Sequence, residues 1–226
     1  MSIDRERYTY NATYPHLIDS IANSQNPYRR VKDRVKTYLD IYIPLDLKRG
    51  DKLLDVACGI GTLGHFLRTT GVTTYGIDIN PAAIAKGKEV YGFELKSRKT
   101  VGSADFIPFS DGFFNAVVSQ DLFEHLLDEE EAGAVLSEMA RVCNGDKMLH
   151  EVTVKEDREW IDNDDSHSIK QPASWWADFF EKRGWRVIAP TSRSHIVPTS
   201  SGFKRRYRHG YFLLHRDQSL TETKRT

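Results

Sequence analysis

The sequence is poor in cysteine and has neither a long apolar run nor an excess of one charge. Only Cys58 and Cys143 occur among 226 residues, and neither lies in a CxxC or cysteine/histidine metal spacing. A disulfide framework is thereby excluded. Two such cysteines are typical of a reducing compartment, so we expect a cytoplasmic protein. Lysine plus arginine and aspartate plus glutamate number 32 each, so the net charge provides no general attraction to nucleic acid or to a membrane surface.

No apolar stretch approaches the roughly 18 residues that span a bilayer. The first residues, MSIDRERYTYNATYPHL, lack the apolar core of a secretory signal. We therefore expect no membrane partner. The 226 residues, 39% of them hydrophobic, suffice for one globular domain with a single core.

Apolar and helix-like segments alternate along the chain, which predicts an α/β fold with parallel strands joined by right-handed crossovers. The predicted strands cover residues 52–57, 73–78, 99–103, 114–120, 147–154, 185–190 and 210–216. The predicted helices cover 27–43, 62–70, 81–92, 127–142 and 173–184. Only a polar stretch separates the last two strands, so we expect these two to pair antiparallel.

The segment DVACGIGTLG, residues 55–64, follows the first predicted strand. Gly59, Gly61 and Gly64 have the spacing GxGxxG, which allows a tight turn and close backbone approach. In open parallel sheets a ligand binds beyond the carboxyl ends of the strands, which is where this loop lies. The spacing alone fits a dinucleotide, S-adenosylmethionine, or a turn that only packs a helix on a strand.

Acidic residues around this loop favour one cofactor over the other. Asp78 ends the second strand and can accept both hydroxyls of a ribose, which suits either cofactor. Asp55 lies before the glycines, near the end of the first strand, where a carboxylate would repel a pyrophosphate but suits an ammonium or a sulfonium group. Asp105 can bond an adenine amino group, and the adjacent Phe106 can cover the ring. These residues favour S-adenosylmethionine.

Four segments together resemble class I S-adenosylmethionine-dependent methyltransferases of the small-molecule type: LLDVACGIGTLG, YGIDINPAAI, GSADFIPFSDGFFNAVVSQDLFEHL and EMARV…MLHEVTV. The resemblance is close over residues 30–155 and extends by pattern beyond them. It implies a Rossmann-like, doubly wound, seven-stranded sheet in an α/β/α sandwich, with the last strand antiparallel. It also implies a cofactor, S-adenosyl-L-methionine, and a set of residues that bind it: Asp55, Ala57, Gly59, Gly61, Asp78, Ile79, Asp105, Phe106 and Gln120.

The chain departs from the family pattern at two places. Ala57 stands where many members have a first glycine, and we expect a negative φ there, which alanine tolerates. Asn144-Gly145-Asp146 replaces the usual Lys-Pro-Gly-Gly turn, and we expect this turn at the surface.

Histidines after the fourth and fifth strands are the candidate catalytic bases, because imidazole titrates near neutral pH. His167 is the first candidate, since the neighbouring Asp164 and Asp165 can orient its ring, and a solvated polar loop is the alternative. His125 is the second candidate, with a packing role as its alternative. His150 lies within the fifth strand, and we expect it to be a core histidine.

A metal site is not expected. Glu124, His125, Asp165 and His167 are all ligand types, but their spacing along the chain specifies no site.

The resemblance implies a single methyltransferase domain over 1–226, with a helical lid over 1–45 and acceptor-side loops over 155–172 and 191–209. The predicted function is methyl transfer to a small molecule, at an oxygen of a sugar or secondary metabolite. One alternative is an RNA or protein methyltransferase that uses the basic patch 204–209, and another is a non-catalytic cofactor-binding partner subunit. The balanced charge argues against nucleic acid as the partner.

Overall fold

The computed structural model describes residues 36, 38–91, 97–155, 166–198 and 204–216. The strands of this part of the chain form one mixed sheet of seven, in the order β3-β2-β1-β4-β5-β7-β6. They are β1 (Lys52–Val56), β2 (Thr73–Asp78), β3 (Ser97–Val101), β4 (Ala116–Gln120), β5 (Lys147–Thr153), β6 (Trp185–Pro198) and β7 (Lys204–Arg216).

The pairing confirms the predicted fold class. β2 pairs parallel with both β1 and β3, whereas β7 pairs antiparallel with both β5 and β6. The strand order reverses between β1 and β4, and ligands of open α/β sheets bind at such reversals.

The helices of the described residues are α1 (Thr62–Leu67), α2 (Pro81–Tyr91), α3 (Glu129–Val142) and α4 (Ala173–Glu181), with a π-helix at Tyr38–Tyr42 and a 3₁₀ turn at Phe123–His125. The start of α2 shows why a helix begins there. The Asn80 side chain accepts the backbone N–H groups of Ala82 and Ala83 at 2.9 and 3.3 Å, which caps the first turn. Pro81 then occupies the first helical position, where no N–H is needed.

One predicted stretch differs from the expectation, and another lies largely outside the residues that the structure describes. The stretch 191–209 is not a loop over most of its length, because β6 extends to Pro198 and β7 begins at Lys204. Its polar residues suggested a loop, but pairing between β6 and β7 satisfies the backbone of these residues. Its role beside the acceptor stays a prediction. Of the predicted lid 1–45, residues 1–35 and 37 lie outside the described residues.

The chain divides into two compact units. Unit 1 comprises residues 1–118 and 135–145, and its core includes an aromatic group in which Tyr75 meets Phe114 edge-on at 5.3 Å. Unit 2 comprises residues 119–134 and 146–226, and its core is built by aromatic side chains of α4. Trp176 is fully buried there while Trp175 is half-buried, as expected of neighbours that diverge by about 100° on a helix.

No helix within the described ranges is both long and apolar enough to span a bilayer.

Candidate functional site

The glycine loop of unit 1 turns tightly between β1 and α1. Gly59 and Gly61 have φ values of 53° and 80°, in the region that side chains disfavour. The N–H of Gly61 donates to the carbonyl of Cys58 at 2.8 Å, and the carbonyl of Gly61 accepts the N–H of His65 at 3.1 Å. The loop therefore passes directly into α1, with Gly61 immediately before the first helical residue.

Ala57 corrects one expectation. Its φ is 61°, not negative, so a left-handed conformation is imposed on a residue that carries a Cβ. The turn requires this conformation because the N–H of the following Cys58 donates to Ile77 of the neighbouring strand at 3.0 Å. An alanine at position 57, in place of the glycine of the family pattern, therefore strains the backbone and is not a mild change.

Asp78 ties the end of β2 to the glycine loop. Its Oδ2 accepts the N–H of Gly59 at 2.7 Å, and its Oδ1 accepts the N–H of Asn80 at 2.8 Å. Burial raises the pKa of Asp78, while these two backbone N–H groups act in the opposite direction. Each carboxylate oxygen has a second lone pair, so the two bonds leave acceptor capacity for a ligand.

Asp55 lies in β1 and is only 5% exposed. Burial, followed by the charge of Asp78, raises the pKa of Asp55 to about 8, and the ammonium group of Lys99 opposes this. A buried carboxyl that is hard to ionise beside a second carboxylate gains from an additional cation and loses from an anion. The electrostatics of this part of unit 1 therefore favour a positively charged ligand over a phosphate.

The side chain of Lys99 contacts the glycine loop, a contact that the sequence analysis did not predict. It stands in β3 opposite Gly76 of β2, and its ammonium donates to the carbonyl of Ile60 at 3.1 Å. A Cβ on Gly61 would collide with the Lys99 side chain, and one on Gly76 would lie 2.6 Å from the sulfur of Cys58. A glycine inside a strand often marks such a close approach, so Gly76 was the available signal.

The remaining predicted contacts of unit 1 are less enclosed. Ile79 follows β2 and is half-buried, as is Asp105, while Phe106 is 74% exposed. Phe106 also borders an open cavity of about 500 Å³, whose lining contains none of the loop glycines: Phe106, Ile107, Pro108, Phe109, Ser110, Phe113, Glu138 and Arg141. An exposed ring at Phe106 suits a flat stacking partner, and its contact with adenine stays a prediction.

Gln120, the last predicted cofactor residue, belongs to unit 2 and is already engaged. Its Nε2 donates to Glu151 at 2.6 Å, and the same buried carboxylate accepts from Tyr211 Oη and His209 Nδ1, each at 2.6 Å. Burial by itself lowers the pKa of His209, but the hydrogen bond to Glu151 and nearby acidic charges, including Asp121, outweigh it and raise that pKa. Gln120 is therefore held in a charged network.

His125 and His167 come together in unit 2, with ring centroids 4.6 Å apart. His167 is 7% exposed, which contradicts a solvated loop at this residue. His125 Nδ1 lies 3.1 Å from Ser166 Oγ and 3.3 Å from its carbonyl. Asp164 and Asp165, the predicted orienting carboxylates, lie outside the described residues.

His150 is a core histidine, as expected. It is fully buried, its Nδ1 bonds Ser119 Oγ at 2.8 Å, and burial lowers its pKa to about 3. It is therefore neutral at physiological pH. In the basic patch 204–209, only the side chain of His209 belongs to the described part of the chain.

The sheet has seven strands, the last of them antiparallel, and a glycine loop follows β1. Asp78, at the end of β2, stands where such folds place the carboxylate that binds a ribose. These features define a Rossmann-like cofactor-binding fold. The family model for a methyltransferase domain matches residues 53–146, which include β1 to α3. Over residues 53–146 the chain therefore carries a methyltransferase domain, in agreement with its resemblance to the class I S-adenosylmethionine-dependent methyltransferases.

Curated relatives resemble only part of the chain. Norajmaline N-methyltransferase of Rauvolfia serpentina is 31% identical over 133 residues, which are 57% of this chain and 44% of the relative. A tocopherol O-methyltransferase from the chloroplast of Oryza sativa, described as probable, is 32% identical over 129 residues, which are 54% of this chain and 35% of the relative. The chain thus spans less than half of the length of these relatives.

Solved structures support the fold. A methyltransferase from Aquifex aeolicus has a TM-score of 0.60 at 18% identity, and the match covers 87% of this chain and 97% of the Aquifex chain. The [4+2]-cyclase SpnF has a TM-score of 0.63 at 18% identity and covers 80% of this chain and 70% of its own. Because a protein named as a cyclase has the same fold, the fold alone does not define the reaction.

Proposed function

We propose that the chain transfers a methyl group from S-adenosylmethionine to a small-molecule acceptor in the cytoplasm. The observation that carries the proposal is the pair of acids at the glycine loop, the buried Asp55 and the half-buried Asp78. The negative charge of Asp78 disfavours a negative charge on Asp55, and burial raises the pKa of both groups. S-Adenosylmethionine carries a sulfonium and an ammonium group, whereas a dinucleotide carries two phosphates, so this loop discriminates between them by charge.

Within unit 1, the cofactor's parts match the residues of the loop. The second lone pairs of the Asp78 oxygens accept the ribose hydroxyls, while Gly59 and Gly61 let the backbone approach the methionine portion. Asp55 supports the positive charge, and binding of a cation lowers the pKa of its carboxyl. Asp105 and Phe106 bond and cover the adenine.

The acceptor atom that we propose is an oxygen of a sugar or secondary metabolite. In the transfer, the acceptor oxygen forms a bond to the methyl carbon as the carbon–sulfur bond breaks, which leaves neutral S-adenosylhomocysteine. The proton of the hydroxyl must pass to a base, which is worth roughly 10² to 10⁴ in rate. His167, assisted by His125 and Asp165, is the proposed base, because its ring is buried and lies against the ring of the half-buried His125 in unit 2.

Methyl-labelled cofactor tests the reaction directly. The protein is incubated with the labelled cofactor and fractionated small-molecule pools, and products are sought by mass spectrometry as a labelled methyl gain. We expect a labelled product that the His167→Ala variant forms at least about 100-fold more slowly, while its cofactor affinity stays near that of the wild type. His215→Ala is the matched control and should retain turnover. Labelled RNA or protein in place of a small molecule would contradict the proposed acceptor class.

A further inference from the structure

Glu124 organises a second group of polar residues in unit 2. It lies in the 3₁₀ turn after β4 and is 1% exposed. Its Oε1 accepts the N–H of Thr153 at 2.7 Å, and its backbone carbonyl accepts the N–H groups of Ser168 and Ile169 at 2.8 and 3.0 Å. These bonds hold the segment that carries His167 against the turn that carries Glu124 and His125.

The other carboxyl oxygen, Glu124 Oε2, is buried and has no hydrogen-bond partner among the residues that the structure describes. Such an atom is costly, because a buried acceptor without a partner loses the full hydration of that group. One ligand atom from each of Glu124, His125 and His167 lies within 4.8 Å of the other two. The carboxylate that carries the unpartnered oxygen therefore belongs to a cluster with two imidazoles.

We propose that Glu124, His125 and His167 bind one divalent transition-metal ion. Two imidazoles and a carboxylate are the protein ligands of open zinc sites and of related iron and manganese sites. Mg²⁺ and Ca²⁺ prefer oxygen ligands, so a set that is two-thirds imidazole selects against them. Zn²⁺ is the ion that suits this set best, and three protein ligands leave a coordination position open.

The distances require only a small adjustment. Zinc lies about 2.0 to 2.2 Å from imidazole nitrogen and carboxylate oxygen, so tetrahedral donors are roughly 3.4 Å apart. Donors within 4.8 Å of one another reach that separation through side-chain rotations that move each by about 1 Å. The contact between His125 Nδ1 and Ser166 supports this, because a hydrogen on Nδ1 directed to Ser166 leaves the ring's lone pair on Nε2.

A metal ion at this cluster would change what the histidines do. An imidazole whose nitrogen coordinates the ion would no longer accept a proton at that nitrogen, so His167 would not be the base while the ion is bound. The ion would instead hold a hydroxyl or water oxygen at its open position and would lower the pKa of that oxygen. The proposal extends to metal binding alone and does not depend on the methyl-transfer reaction.

Metal binding is measured on tag-free protein that has been treated with EDTA and dialysed. Zn²⁺ is titrated by calorimetry, and the same samples are titrated with S-adenosylmethionine to report on unit 1. The variants are Glu124→Gln, which keeps an acceptor for Thr153, and His167→Ala, with His215→Ala as the control from the same unit. Circular dichroism of each metal-free variant establishes that it is folded.

We expect one Zn²⁺ per chain in the wild type and in H215A, and at least about 100-fold weaker binding in E124Q and H167A. Mg²⁺ should bind at least about 100-fold more weakly than Zn²⁺ to the wild type. If H167A does not fold, E124Q decides the outcome. Absence of Zn²⁺ binding by the wild type, equal affinity in all folded variants, or loss of binding in H215A would each overturn the site. None of these three results would affect S-adenosylmethionine binding, so the two proposals fail separately.

Discussion

The carboxylate of Asp78 accepts the backbone N–H of Gly59 at 2.7 Å, which fastens the end of β2 to the glycine loop that follows β1. The second oxygen of Asp78 accepts the N–H of Asn80 at 2.8 Å. One side chain thus fixes the loop before any ligand is present, and it retains lone pairs for a ribose. We therefore expect a change at Asp78 to affect both the order of the loop and the binding of the cofactor.

The Asp78→Asn variant tests whether both carboxylate oxygens of Asp78 are needed as hydrogen-bond acceptors. An amide has one acceptor oxygen, so either Gly59 or Asn80 would face an NH₂ group and lose its partner, at a cost of about 1 to 3 kcal/mol. We expect a lower melting temperature and at least about 10-fold weaker binding of S-adenosylmethionine by calorimetry. Glu130→Gln, at an exposed residue of α3, is the control. Unchanged affinity in D78N would refute the role of Asp78.

Asp55 makes the cofactor-free protein less stable as the pH rises. Its folded pKa is about 8, whereas an unfolded aspartate titrates near 3.8, so between these values the folded state holds a proton that the unfolded state has lost. Stability therefore decreases across that range. Asp55→Asn removes this decrease, so its stability relative to the wild type should rise by about 1 kcal/mol or more between pH 5 and pH 8. Urea unfolding at both pH values measures it.

The same variant should bind S-adenosylmethionine at least about 10-fold more weakly, because an amide offers no charge to a sulfonium. Binding to the wild type at pH 7 should release protons from Asp55, as shown by calorimetry in buffers of different ionisation enthalpy. A stability difference that is the same at both pH values would count against the burial of an ionisable Asp55.

The Ala57→Gly variant should be more stable than the wild type. Ala57 has a φ of 61°, which costs a residue with a Cβ about 1 to 2 kcal/mol and costs glycine little. Part of this gain is offset by the greater freedom of glycine in the unfolded chain, so we expect a net gain of about 0.5 to 1 kcal/mol in chemical unfolding. Ala134→Gly within α3 is the matched control and should lose a similar amount. Destabilisation by both changes would be inconsistent with the left-handed turn.

His209 contributes stability that depends on pH in a defined direction. The raised pKa means that the folded state holds a proton on His209 at pH values where the unfolded histidine has lost it. The contribution is therefore fully present below about pH 6.5, the unfolded value, and is lost as the pH rises through the folded value. His209→Gln can still donate to Glu151 but does not titrate, so the difference in melting temperature from the wild type should shrink as the pH rises. A difference that grows with pH would contradict the His209–Glu151 pair.

Much of the fold was predictable because strand and helix patterns are local. The bounds of β2 agree with the prediction, since TTYGID is a buried run that ends at the acid of Asp78. The antiparallel pairing of the last strands followed from the lack of a helix between them. The length of β6 and β7 did not follow, because polar residues on a two-stranded extension carry no core pattern.

The candidate site residues also differ in how far the sequence predicts them. Asp55, Gly59, Gly61 and Asp78 could be placed because they are adjacent to strand ends in the sequence, and the structure brings them together in unit 1. Lys99 could not, since it reaches the loop from a different strand. The cluster of Glu124, His125 and His167 depends on hydrogen bonds from Ser168 and Ile169 to a backbone carbonyl, which linear spacing does not encode.

The charge of the preferred cofactor is the central claim, and a calorimetric comparison of S-adenosylmethionine with NAD tests it most directly. Both ligands carry an adenosine, so the ribose contact with Asp78 is common to them. Beyond that ribose, S-adenosylmethionine carries a sulfonium and an ammonium group, whereas NAD carries an anionic pyrophosphate and a nicotinamide riboside. We expect one S-adenosylmethionine to bind per chain, with NAD at least about 100-fold weaker, and D55N to narrow that ratio. Preferential binding of NAD, or a ratio unaffected by D55N, would contradict the claim.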